Sequence, residues 1–206
     1  MNKEGLLVVI SGPSGVGKGT VCSKLLAEQK DIVLSISHTT REPRKGEIEG
    51  KNYFFIDKEK FETNIKNEAY LEWAKVFDNY YGTPQDFIDY NMNNGVDTLL
   101  EIDTQGAILV KEKYPDGIYI FLLPPSFKAL KQRLEGRKTE TKEKIKKRLG
   151  EFRNEVKRSP MYDYLVVNDD VEAATETIKS ILRAEHHKFE HSTKYAELLM
   201  EDIEIC

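Results

Sequence analysis

The run SGPSGVGKGT at residues 11–20, entered from the apolar stretch 6–10, limits what this chain can fold into more than any other feature. Gly12, Gly17 and Lys18 stand at the spacing G-x-x-x-x-G-K. In that pattern flexible glycines let successive backbone N–H groups turn inward around a phosphate, and the lysine adds a point charge. The loop normally ends as the first turn of a helix, whose unpaired N–H groups and dipole also favour an anion. Residues 21–28 can form that helix. A glycine-rich turn by itself is common. Here a strand precedes it, a helix-compatible run follows it and the lysine stands at the required offset, so the chain is expected to handle a nucleotide. One position departs from the pattern: Gly19 follows the lysine where Ser or Thr is usual, and the hydroxyl comes one step later at Thr20.

A length of 206 residues is ample for one buried core with inserted lobes and calls for no second globular domain. With a formal net charge of −4 the chain is not a general polyanion binder, so no nucleic-acid partner is expected and any basic site must be local. Cys22 and Cys206 lack metal-ligand spacing and are too few for a disulfide framework, which points to a reducing compartment. The apolar run 6–10 is too short for a signal h-region or a membrane span, and no later segment approaches span length. The expectation is a cytoplasmic protein with no membrane partner.

Apolar, β-branched runs recur at 6–10, 32–37, 96–102, 118–123 and 165–167, with helix-like periodicity between most of them. That alternation implies a parallel sheet covered on both faces. One helix is expected to start at Thr83-Pro84, with Thr83 as cap and Asp86 completing a capping box, and to stop at Asn94-Gly95. Others are expected over 106–114, after Pro124-Pro125 with Ser126 as cap, over 141–158 with the stripe Ile145, Leu149, Phe152 and Val156, and over 171–188. From 39 to 82 the alternation breaks into short extended pieces such as 52–56, a helix over 58–67 and an aromatic-rich run at 73–81. This reads as an inserted lobe.

A nucleotide site needs acids and cations beyond the loop. Asp103 follows the strand 96–102, at the end where ligands of such sheets bind. Glu101, two positions earlier, either shares that face or marks the strand's exposed end. Arg41 and Arg44 flank Pro43 just after the second strand, and their guanidinium forks suit bidentate phosphate contacts. A second basic group comprises Arg133, Arg137, Lys144, Lys147 and Arg148. Taken alone it is as well explained by a solvated helix face.

The loop GPSGVGKGT, the segment SHTTREPRKGE at 37–47, GKNY at 50–53, LEWA at 71–74, NYYGT at 79–83, EIDTQG at 101–106, PPS at 124–126, RLEGR at 133–137 and VNDD at 167–170 together resemble the guanylate kinase family. The resemblance runs in order over residues 6–188. It implies an α/β fold of the P-loop NTPase type, a parallel sheet flanked by helices, with an inserted guanylate-binding lobe and a mobile helical lid. The core would comprise 1–37, 84–133 and 159–188, the GMP-binding lobe 38–83 and the lid 134–158. The tail 189–206 lies outside it. The implied chemistry is magnesium-dependent transfer of the γ-phosphoryl group of ATP to GMP, with dGMP as a second acceptor, by a monomer or homo-oligomer.

Position by position, the resemblance assigns the ATP phosphates to Gly12, Pro13, Ser14, Gly15, Val16, Gly17, Lys18, Gly19 and Thr20, with Thr20 also on the metal side and Asn168 near the adenine. It assigns the acceptor phosphate to Arg41, Arg44, Tyr53 and Tyr81. Glu72 would accept from guanine N1–H and the exocyclic amine, with Ser37 and Thr83 addressing O6 and neighbouring edge atoms. Glu101 and Asp103 would border the acceptor, while Lys18, Arg44, Arg137 and Arg148 would carry the transferring charge. An interaction module of the same fold that has lost catalysis is the competing class; such modules typically lose the phosphate loop, which is intact here.

Overall fold

The structure, a computed structural model, describes residues 5–44, 46–76, 78–136, 142–188 and 200. In chain order the first half comprises β1 (Leu7–Ser11), α1 (Lys18–Glu28), β2 (Ile32–Leu34), β3 (His38–Thr39), β4 (Phe54–Phe55), α2 (Lys58–Lys66), β5 (Tyr70–Val76) and β6 (Asn79–Pro84). The second half comprises α3 (Gln85–Asn93), β7 (Asp97–Glu101), α4 (Thr104–Lys113), β8 (Ile118–Leu123), α5 (Phe127–Glu135), α6 (Lys142–Val156), β9 (Tyr164–Val167) and α7 (Val171–Glu185).

Five strands form a parallel sheet in the order β2-β7-β1-β8-β9. β1 lies at its centre and is buried along its whole length. Its side chains alternate between two cores, as the pleat requires. Val8 and Ile10 join Val21, Leu25, Leu99, Ile120 and Ile178 on one face, while Leu7 and Val9 join Leu100, Ala107, Val110 and Tyr119 on the other. Both faces being covered by helices explains why the sequence of this strand is apolar without alternation. The carboxyl ends of β1 and β7 therefore open side by side at one edge, where parallel sheets place ligands.

A second, four-stranded sheet in the order β4-β3-β6-β5 is built from the stretch where the alternation breaks. The aromatic-rich run forms the antiparallel hairpin β5–β6. Its aromatic side chains do not alternate with polar ones because they make a small core of their own: Phe61 of α2 stacks on Tyr70 at 4.5 Å and on Tyr80 at 5.2 Å. Gly82 is required there, since a Cβ would stand 2.9 Å from the Phe61 ring.

Three local expectations are corrected. The second strand does not run to residue 37: β2 ends at Leu34, Ser35 N–H pairs with Leu99 O at 2.9 Å, and the chain then crosses to the other sheet. Thr83 does not cap α3; Pro84 holds the N-cap position without a side-chain hydrogen bond, and the Thr83 hydroxyl is committed to Glu72. α4 begins at Thr104 rather than 106, because the Asp103 carboxylate caps it by accepting from Gln105 N–H and Gly106 N–H at 2.8 and 2.9 Å. The expected cap at Ser126 is observed, with its hydroxyl accepting from Ala129 N–H at 3.1 Å. Among the described residues no helix is long and apolar enough to cross a membrane.

Candidate active site

At the end of β1 the backbone turns sharply into the loop. Gly12 has φ 145°, and a Cβ on it would meet the Leu122 carbonyl oxygen at 2.3 Å, so only glycine lets the loop pass β8 at this height. Gly17 is the N-cap of α1 and has no side chain to cap it, leaving the first-turn N–H groups for an anion. The loop is braced from behind. Asn168, buried at the end of β9, donates its amide to Val16 O at 2.8 Å, and Arg133 of α5 donates to the same carbonyl at 3.1 Å.

Lys18 points back over this loop, its ammonium donating to Gly12 O at 2.6 Å and to Pro13 O at 3.3 Å. Burial pulls its pKa below the usual lysine value, and the charges of Glu101, Glu155 and Asp103 oppose that shift. Glu101 stands at the exposed tip of β7, with its carboxylate beside the first turn of α1: a Cβ on Gly19 would be 3.4 Å from Glu101 Oε1. A serine at position 19 would thus bring its side chain against an acid that the glycine leaves room for. Thr20 in the same turn is exposed.

α6 brings two further groups over the loop. Arg148 donates to the Ser14 hydroxyl. Glu155, seven residues on and so on the same helical face, lies beside Lys18 and the Ser14 N–H; burial raises its pKa while those two groups hold it down. The stripe Ile145, Leu149, Phe152 and Val156 is only half-buried. Phe152 meets Phe127 of α5 at 5.3 Å, which leaves this helix lightly anchored.

Across the cleft, the second sheet gathers two clusters. In one, the Arg41 guanidinium lies 5.5 Å from the Tyr53 ring centre, and Tyr53 meets Tyr81 edge-on at 5.8 Å. One terminal nitrogen of Arg41 also donates to both carboxylate oxygens of Glu47, at 2.9 and 3.0 Å. Arg44 is exposed, and its backbone N–H is held by Glu47 at 2.7 Å. In the other, Glu72 is 8% exposed and accepts from the Thr83 hydroxyl at 2.6 Å. Burial raises the Glu72 pKa and Asp103 adds to this, while Thr83 and Lys113 lower it. The site is therefore two-sided: an anion cradle on the parallel sheet and a buried carboxylate with a cation and two phenols on the other.

A family model described as guanylate kinase matches residues 4–185. The chain belongs to the guanylate kinase family. It is 53% identical to the guanylate kinase of Caldanaerobacter subterraneus subsp. tengcongensis over 185 residues, 90% of each protein. It is 50% identical to that of Halalkalibacterium halodurans over 201 residues, 97% of this chain and 98% of the other. The crystal structure of guanylate kinase from Anaplasma phagocytophilum superposes with a TM-score of 0.75 at 39% identity, covering 90% of this chain and 88% of that one. As a member of this family the chain is a nucleoside monophosphate kinase, an ATP:GMP phosphotransferase.

On this guanylate kinase framework, Gly12, Pro13, Ser14, Gly15, Val16 and Gly17 form the loop between β1 and α1, and Lys18, Gly19 and Thr20 continue it as the first turn of α1. Arg41, Tyr53 and Tyr81 come together, as do Glu72 and Thr83. Ser37 lies just before β3 and binds Phe54 N–H through its carbonyl at 3.0 Å. Arg137 and residues 138–141 of the expected lid lie outside the described residues, as does the expected tail 189–206 except for residue 200. Sequence reasoning missed Glu155. The signal available was its seven-residue offset from Arg148 on the polar side of the α6 stripe. It also missed that Arg41 has an internal carboxylate partner in Glu47.

Proposed function

We propose that the ATP:GMP transfer of this family member extends to dGMP as a second acceptor, with the second sheet of residues 38–83 as acceptor lobe and residues 134–158 as a lid on the core. The observation that carries the acceptor assignment is Glu72, a buried carboxylate oriented by Thr83. A carboxylate in that position accepts from N1–H and the exocyclic amine of guanine together, a donor pair that adenine lacks, with Ser37 beside it. Arg41, Arg44, Tyr53 and Tyr81 supply donors for the acceptor phosphate. Glu101 and Asp103 border the acceptor at the strand ends.

On the donor side the N–H groups of residues 12–20 cradle the ATP phosphates and Asn168 flanks the adenine. Lys18 leaves its hold on the Gly12 and Pro13 carbonyls to follow charge toward the bridging oxygen. Arg148 and Arg137, carried by the lid, add positive charge as the phosphoryl group moves, which in related systems contributes on the order of 10³ to 10⁵ in rate. Delivery of Arg148 by a lightly anchored helix ties that charge to closure and so to exclusion of water as a competing acceptor.

Mg²⁺ fits the donor chemistry here. The Thr20 hydroxyl and the Glu101 carboxylate are hard oxygen donors beside the first turn of α1. Among the described residues no group of three or more His, Cys, Asp or Glu side chains could cage a metal, which suits an ion that takes most of its ligands from phosphates and water. When bound it neutralises charge on the phosphate oxygens.

Replacing Glu72 by Ala tests the acceptor assignment. The KM for GMP should rise far more than the KM for ATP, since an edge contact is lost and no ATP contact. Equal losses on both substrates would make Glu72 a structural residue.

A further inference from the structure

Glu72 owes its aim to a defect in its strand. Pairing between β5 and β6 runs Tyr70 opposite Pro84 and then Glu72 opposite Thr83, so Leu71 is an extra residue and the register shifts between Tyr70 and Glu72. Tyr70 faces the aromatic core, stacking on Phe61. Leu71 faces the other way, into the cluster with Ala107 and Val110 of α4. A regular pleat would return Glu72 to the aromatic side. It stays on the α4 side instead: a Cβ on Gly106 would be 3.5 Å from Glu72 Oε2. The bulge is what points two consecutive residues at α4 and lets the carboxylate enter the cleft.

That bulge needs support. β5 is the edge of its sheet, and the residue opposite Tyr70 is Pro84, which has no N–H to donate to the Tyr70 carbonyl. The donor comes from α4, where Lys113 Nζ reaches Tyr70 O at 3.2 Å. α4 is itself fixed on its core side by Ala107 and Val110 and at its start by the Asp103 cap. Lys113 is also the cation that bears on Glu72, opposing the like charge of Asp103.

We propose that Lys113 is a positioning residue for guanine recognition, holding through the Tyr70 carbonyl the bulge that aims Glu72. The inference rests on Glu72 being the guanine acceptor. It extends the acceptor site to Lys113 at the far end of α4.

Initial rates of Lys113→Met, Lys113→Arg and Glu72→Gln with GMP and with IMP, which lacks the exocyclic amine, test it. Lys113→Met should raise the KM for GMP about fivefold, the worth of one ordinary hydrogen bond, and shrink the preference for GMP over IMP by a similar factor. The KM for ATP should stay within about twofold, and Lys113→Arg should recover most of the loss because it keeps both a donor and a charge. A Lys113→Met enzyme with wild-type GMP kinetics beside an impaired Glu72→Gln enzyme would overturn the role of Lys113 alone. Equal loss on ATP and GMP would also overturn it, as a general structural effect. A Glu72→Gln enzyme that still prefers GMP to IMP as the wild type does would remove the reading of Glu72 beneath it.

Discussion

The Thr83 hydroxyl donates to Glu72 Oε1 at 2.6 Å between two directly opposed residues of the β5–β6 hairpin, and both side chains are buried. This bond takes one acceptor direction of the carboxylate and fixes its plane. Thr83→Val keeps the shape and removes the donor. A hydrogen bond to a charged group is worth roughly 1.5–3 kcal/mol, so kcat/KM for GMP should fall by about tenfold or more. Thr83→Ser should retain most of it. Steady-state kinetics with GMP varied at saturating ATP makes the comparison, and a Thr83→Val enzyme equal to wild type would show that the bond does not orient Glu72 for binding.

Glu72 should cost the fold stability in return for recognition. Burial raises its folded-state pKa above the ordinary glutamate value of 4.5, so the ionised form is disfavoured by folding. For a raised acid that cost is present in full above the folded pKa and disappears as the pH falls from there toward 4.5. Glu72→Gln should therefore melt at a higher temperature than the wild type at neutral pH, by about 2–4 °C for each kcal/mol recovered, and the advantage should shrink on acidification. Thermal melts of both proteins across that pH range check the sign. GMP turnover by the variant should be impaired throughout.

Gly150 offers a contrasting prediction. It lies inside α6 with nothing within 4 Å of the position of a Cβ, so an added methyl meets no obstacle. Gly150→Ala should stabilise the helix by about 0.5–1 kcal/mol and leave kcat unchanged, because the light anchoring of α6 comes from its half-buried stripe rather than from a break at this glycine. A thermal melt paired with a rate measurement decides. A fall in kcat with a rise in Tm would make Gly150 the hinge.

The parallel sheet was legible because its signals are local. Continuous apolar runs mark strands buried on both faces, and β8 coincides with its expected span. The loop was legible because glycine spacing and a lysine offset are read without tertiary context. What escaped depends on contacts distant in the chain. Thr83 has the sequence of a helix cap, yet its hydroxyl finds a buried carboxylate eleven positions away, which outcompetes the first turn of α3. Asp103 was read toward the ligand while its carboxylate also serves α4, a double use that a sequence pattern does not separate. The hairpin β5–β6 was hidden because aromatic residues fill one side of it and a bulge disrupts its alternation at Leu71.

Glu72 and its neighbours make GMP the preferred acceptor. ADP release from ATP measured side by side with GMP, AMP, CMP, UMP and TMP checks this preference. Turnover should be fastest with GMP and lie far below it for every other monophosphate; faster turnover with any of the others would contradict the assignment.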